Sequence, residues 1–123
     1  SYLPVVVTNQ PDAARGSLEF NTLYKIHDYI CNKLDISISY VCDHPYDGMC
    51  NCRKPKIGML IKAKKEFNLD LKNSFLIGDR EKDIVAGKNA NCKTICIAQS
   101  RCIFADYNVG NHSELIFILK KLL

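Results

Sequence analysis

The sequence predicts an α/β fold on a mainly parallel sheet, and two patterns carry that expectation. Short apolar runs of strand length alternate along the chain with stretches whose apolar residues recur at helical spacing. Three runs also end in distinctive residues: Thr8-Asn9-Gln10, the segment from Cys42, and Gly78-Asp79. Ligands of open parallel sheets bind beyond the carboxyl ends of the strands, so these three signatures predict one functional edge.

Val5-Val6-Val7 reads as a buried parallel strand, ended by Thr8-Asn9-Gln10-Pro11-Asp12 because Pro11 cannot continue a ladder. Leu23, Ile26, His27, Ile30 and Leu34 recur at helical spacing and place an amphipathic helix near residues 18–34. Ile36, Ile38 and Tyr40 alternate with serines as a second strand. A helix over 57–67 is expected to turn Leu60, Ala63 and Phe67 inward and its lysines outward. Ser74–Ile77 reads as a strand, 80–90 as a helix and Thr94–Ile97 as a strand. Asn111-His112-Ser113-Glu114 offers capping side chains for a final helix.

The chain has 123 residues, 47% hydrophobic and 24% charged, which suits one soluble globular domain spanning 1–123. No stretch is long and apolar enough to span a bilayer, so no membrane role is expected. Seven cysteines are an odd count, and three fall in one tight cluster; a reducing cytoplasm is the simpler setting. The net charge is only +4, and no aromatics interleave with Lys54, Lys56, Lys62, Lys64 and Lys65. That argues against nucleic acid and for a small phosphorylated partner or a solvated helix face.

The most informative segment is Cys42-x-His44-x5-Cys50-x-Cys52, running directly into Arg53-Lys54. Three thiols and an imidazole suit tetrahedral zinc in a closed structural site, whereas Asp43 and Asp47 are harder ligands and are expected to be solvated. The cations that follow are placed to meet an anion. In Gly78-Asp79-Arg80-Glu81-Lys82-Asp83 an aspartate leaves a buried strand, with Asp83 one turn further on and expected to face the same way. Such carboxylates suit Mg²⁺, which takes oxygen ligands and bridges to substrate phosphate; the competing role for Asp79 is a helix cap. Thr8, Asn9, Gln10, Arg15 and Gly16 supply a hydroxyl, amides and a guanidinium near a helix start, which suit phosphate oxygens. His27 is expected in the core, His112 in a cap, and Cys31, Cys92, Cys96 and Cys102 without chemical roles.

In this order the segments resemble the haloacid dehalogenase (HAD) superfamily of phosphatases, subfamily IIIA. The likeness is greatest to the branch of heptose-1,7-bisphosphate 7-phosphatases and histidinol-phosphate phosphatases. It rests on Val5–Gln10, Ala14-Arg15-Gly16, the cysteine loop into Cys52-Arg53-Lys54-Pro55, Gly58-Met59-Leu60, Ile77–Asp83 and Ala86-Gly87. It implies a HAD-like Rossmannoid parallel sheet flanked by helices, with a zinc-binding loop. It also implies hydrolysis of a sugar phosphate through an aspartyl-phosphate. Thr8 corresponds to the hydroxyl that holds the transferring phosphoryl group, and Lys54 to the cation that neutralises it. Asp79 corresponds to the Mg²⁺ ligand, with Asp83 supporting it from behind. Asn9, Gln10, Arg15, Gly16 and Arg53 correspond to substrate contacts, and Cys42, His44, Cys50 and Cys52 to the zinc ligands.

Two departures accompany the resemblance. The family's nucleophile lies in an Asp-x-Asp-Gly-Thr segment on its first, central strand, and no such segment occurs here. The chain is therefore expected to be the C-terminal portion of a HAD-like domain, inactive alone. Pro11-Asp12 replaces the Ser-Gly pair common in heptose phosphatases, which leaves histidinol phosphate as an alternative substrate. A non-catalytic, zinc-stabilised anion-binding module is the alternative from another class. A monomer is the default.

Overall fold

The computed structural model describes residues 1–123, which divide into two units, Ser1–Asn68 and Leu69–Leu123. In the first unit, strand β1 (Val6–Asn9) pairs in parallel with β2 (Ser39–Cys42), connected by helix α1 (Phe20–Lys33) and followed by α2 (Gly58–Phe67). In the second, β3 (Phe75–Gly78), α3 (Glu81–Asn89), β4 (Lys93–Ile97), β5 (Tyr107–Val109) and α4 (His112–Leu122) form a parallel sheet of order β3-β4-β5 with its helices. All three ladders are parallel, as the alternation of elements predicts.

Several boundaries differ from the sequence reading for identifiable reasons. β1 does not stop before Thr8 but carries Thr8 and Asn9 in register with Val41 and Cys42. Their polar side chains are thereby fixed by ladder hydrogen bonds rather than by a turn. β2 starts at Ser39 because Asp35 turns the chain at φ 53° and the Ile36 N–H returns to the Cys31 carbonyl at 2.9 Å. In α2, Met59, Leu60 and Ala63 are buried, while Phe67, expected inward, is exposed at the last helical position. α4 is capped as expected: Asn111 Oδ1 accepts the Glu114 N–H at 2.9 Å, and the Glu114 carboxylate accepts the Gly110 N–H at 2.7 Å.

The second unit's core centres on Ile84, Ile95 and Cys96, which are essentially solvent-free. Cys96 and Cys102 pair as a disulfide, which corrects the expectation that both are unengaged reduced thiols. Strand β5 was not predicted; with three residues and a mixed polar pattern it carries almost no periodicity. Long-range polar contacts hold it instead. Asp106 Oδ2 accepts the Thr94 backbone N–H at 2.8 Å and its hydroxyl at 3.0 Å, and Asp106 also pairs with Lys88.

Thr94 is fully buried, so loss of its acceptor leaves two donors without partners. Asp106→Ala is expected to cost about 2 kcal/mol, read as a lower urea midpoint; the half-exposed Lys88 pair adds little. Burial pushes the Asp106 pKa up, but Lys88 and the Thr94 donors outweigh it and hold the carboxyl below its usual range. A depressed carboxyl stabilises the fold above its unfolded pKa, about 4, and that stability is lost as pH falls through the lower folded value. The gap between parent and variant midpoints should therefore narrow with acidification below about pH 4.

Candidate active site and metal centre

In the first unit the ends of β1 and β2 bring together a polar cradle. Asn9, the last residue of β1, grips the backbone of Lys54: its Oδ1 accepts the Lys54 N–H at 3.0 Å, and its Nδ2 donates to the Lys54 carbonyl at 3.1 Å. A side-chain amide matches a peptide group donor for acceptor, so this clasp fixes both position and orientation. Lys54 Nζ then reaches the Val7 carbonyl at 2.9 Å, which sets the ammonium beside β1. Gln10 Nε2 donates to Thr8 Oγ1 at 3.0 Å. That bond occupies an acceptor position of the hydroxyl and leaves its proton available to an incoming oxygen. Asn9 and Gln10, grouped by sequence with the substrate contacts, thus hold Lys54 and Thr8 in place.

Replacing Asn9 by leucine removes both halves of the clasp and leaves the Lys54 peptide unpaired. A lower urea midpoint is expected, by about 2 kcal/mol for two lost hydrogen bonds, with Asn9→Asp partly restoring it through the surviving acceptor. Urea unfolding of the three proteins checks this.

Residues 11–17 form successive turns, and Gly16 adopts φ 81°, a conformation that suits glycine. The helix expected from about residue 18 begins at Phe20, so Arg15 and Gly16 lie in the turns that precede it. Arg15 instead pairs with Asp12 and lies 5.2 Å from the centre of the Tyr46 ring. Arg53 lies 4.1 Å from the same ring and donates from Nη2 to the His44 carbonyl at 2.6 Å. Its Nε and Nη1 are buried without an acceptor.

The cysteine loop converges as its spacing predicts. The ligand atoms of Cys42, His44, Cys50 and Cys52 all lie within 4.8 Å of one another. Cys42 Sγ is 3.7 Å from Cys50 Sγ and 3.5 Å from His44 Nδ1, which is 3.1 Å from Cys52 Sγ. A tetrahedron with bonds of about 2.3 Å to sulfur and 2.0 Å to nitrogen has edges of roughly 3.5–3.8 Å, so the set fits a zinc-sized ion. The Cys50 thiol, although pushed up by burial, is drawn down to about 6 by the Arg53 and Cys52 backbone N–H groups and the neighbouring thiols. Burial and the adjacent Cys42 and Cys50 sulfurs push Cys52 up to about 12. A divalent cation reverses that mutual repulsion. The competing carboxylates are engaged elsewhere, Asp43 with the Tyr24 hydroxyl at 2.7 Å and Asp47 with the Met49 N–H at 3.0 Å.

Sequence reasoning missed Lys56. Its ammonium reaches the Gly48 carbonyl at 2.8 Å and also the Cys50 carbonyl, tying the loop to its own exit. Gly58 closes the loop from below. A Cβ there would lie 2.3 Å from the Asn51 carbonyl oxygen, which accepts the Gly58 N–H at 3.0 Å.

In the second unit Asp79 lies just beyond β3 with an exposed side chain, and Arg80, not Asp79, is the residue before α3. Asp83 is buried, and its Oδ2 accepts the Arg80 N–H at 3.1 Å. It packs so closely beneath Gly78 that a Cβ there would sit 2.3 Å from the Asp83 Cβ. Gly-Asp-x-x-x-Asp therefore encodes one buried carboxylate that fixes the turn and one exposed carboxylate presented by it. His27 bonds Ser39 Oγ at 2.8 Å, as a satisfied, part-buried histidine should.

The fold and these residue pairs define a HAD-like hydrolase, and residues 51–108 match the HAD-hydrolase-like family. The chain is 44% identical over 126 residues to the D-glycero-alpha-D-manno-heptose-1,7-bisphosphate 7-phosphatase of Campylobacter jejuni, covering 98% of this chain and 73% of that one. It is 33% identical over 139 residues to the D-glycero-beta-D-manno-heptose-1,7-bisphosphate 7-phosphatase of Haemophilus influenzae, covering 98% and 76%. The D,D-heptose 1,7-bisphosphate phosphatase of B. bronchiseptica, whose crystal structure contains magnesium and phosphate, superposes with a TM-score of 0.85 at 25% identity, over 98% of this chain and 75% of that one. The chain belongs to the HAD phosphatase family that includes the heptose-1,7-bisphosphate 7-phosphatases.

Proposed function

We propose that the protein is a Mg²⁺-dependent phosphomonoesterase that acts on D-glycero-D-manno-heptose 1,7-bisphosphate. The observation that carries this reading is the cradle in which Asn9 fixes Lys54 and Gln10 orients Thr8. Phosphoryl transfer demands little of a protein beyond positioning and charge neutralisation. Thr8 donates a hydrogen bond from its hydroxyl to a phosphoryl oxygen, and the Lys54 ammonium neutralises the charge that develops there. Arg53 and Arg15, from a loop that Gly16 allows to turn, contact the remainder of the substrate.

Asp79 is the exposed oxygen ligand for Mg²⁺, and Asp83 holds the turn that presents it. When bound, Mg²⁺ supplies Lewis-acid stabilisation of phosphoryl charge. Cys42, His44, Cys50 and Cys52 hold Zn²⁺ in a closed site whose role is to shape the loop carrying Arg53 and Lys54. The 123 residues contain no Asp-x-Asp pair, so the groups named here bind, orient and neutralise. The protein works on a small phosphorylated molecule as a cytoplasmic monomer.

Phosphate release from heptose 1,7-bisphosphate (both anomers) and from histidinol phosphate by the intact protein tests the assignment. A kcat/KM at least about tenfold higher for the heptose is expected, a gap of about 1.4 kcal/mol. Preference for histidinol phosphate would move the assignment to that substrate. Binding without release from either would favour the anion-binding module.

A further inference from the structure

We infer that Tyr46 is a positioning residue that sets the protein's affinity for its anionic ligand by holding Arg15 and Arg53 together. This rests on the proposed sugar-phosphate reading and names the residue behind its affinity. Two guanidinium groups lie within cation–π reach of one ring, at 5.2 Å and 4.1 Å. Convergence of two like charges is unfavourable, and the negative face of an aromatic ring offsets it. A guanidinium held by its flat face keeps its N–H edges for oxygen acceptors.

Arg53 shows that state. Nη2 is spent on the His44 carbonyl, while Nε and Nη1 have no protein acceptor. A donor left in that condition gains most from an oxygen-rich ligand. Arg15 is restrained from the other direction by Asp12, so its place depends on both the carboxylate and the ring. Tyr46 itself is 60% exposed and makes no contribution to the core. It sits between His44 and Cys50, so the cysteine cluster that shapes the loop also places the ring.

The test is kinetic and uses the intact protein with heptose 1,7-bisphosphate, alongside calorimetric titration of the same compound. Tyr46→Ala should raise KM and weaken binding about three- to tenfold, with kcat within about twofold, the range expected for two partly exposed cation–π contacts. Tyr46→Phe should match the parent, because the ring and not the hydroxyl does the holding. In an Arg53→Ala background the Tyr46→Ala effect should shrink, since the pair acts as a unit.

Unchanged KM, a Phe variant as impaired as Ala, or independent effects of the two substitutions would overturn the inference. So would loss of bound metal or of a cooperative melt in Tyr46→Ala, which would assign the ring to loop stability. Tyr46-dependent binding without phosphate release by the parent would instead sink the hydrolase reading and leave this inference standing. A parent that neither binds nor hydrolyses the compound would overturn both.

Discussion

Cys50→Ser is expected to abolish stoichiometric zinc binding and to lower the melting temperature by at least about 10 °C. Structural zinc sites contribute folding free energy outright, and the loss of one thiolate from a four-ligand set forfeits several kcal/mol of it. The effect should be large because residues 43–57 contain no helix or strand of their own. Apart from the four ligands, this stretch is restrained by the bonds of Lys56, Arg53, Asp47 and Tyr24, the Asn9–Lys54 clasp, the Lys54–Val7 bond, the arginine contacts on Tyr46 and the Asn51–Gly58 contact. Activity should fall with the melt, since Arg53 and Lys54 leave the loop directly after Cys52. Metal content by mass spectrometry and a thermal melt check both halves. A Cys50→Ser protein with the parent's melting curve would deny the cluster a structural metal.

Asp79→Asn should behave in the opposite manner, with kcat reduced about 10³-fold or more and the fold untouched. In the proposed site a carboxylate supplies the negative charge that Mg²⁺ prefers in a ligand, and an ion held there would contribute several kcal/mol of transition-state stabilisation. The side chain is exposed and does not cap α3, so the melt should not move. Asp83→Asn is the contrast: that residue is buried and receives the Arg80 N–H, so both activity and stability should suffer. Retention of full activity by Asp79→Asn would remove Asp79 as the magnesium ligand.

What the sequence made legible follows the physics of each signal. Periodic apolar runs located every long element, because burial of one face imposes a period that can be counted. The Cys/His cluster was legible because three thiols and an imidazole within eleven residues have few alternative explanations, and the structure brings all four together. β5 was not legible: three residues cannot display a period, and the Asp106–Thr94 contacts that hold it join residues twelve apart. Likewise, no local pattern shows that Asn9 grips Lys54, forty-five residues away, or that Gln10 bonds the Thr8 hydroxyl. Tyr46 and Lys56 lacked any local signature, since each acts through a neighbour that the chain's path supplies.

The most direct test of the central claim is phosphate release from D-glycero-D-manno-heptose 1,7-bisphosphate by the intact protein, measured with Mg²⁺ and again with a Mg²⁺ chelator that spares the zinc. The account predicts one phosphate released per substrate molecule with Mg²⁺ and essentially none with the chelator. Release unaffected by removal of Mg²⁺, or no release under either condition, would contradict it.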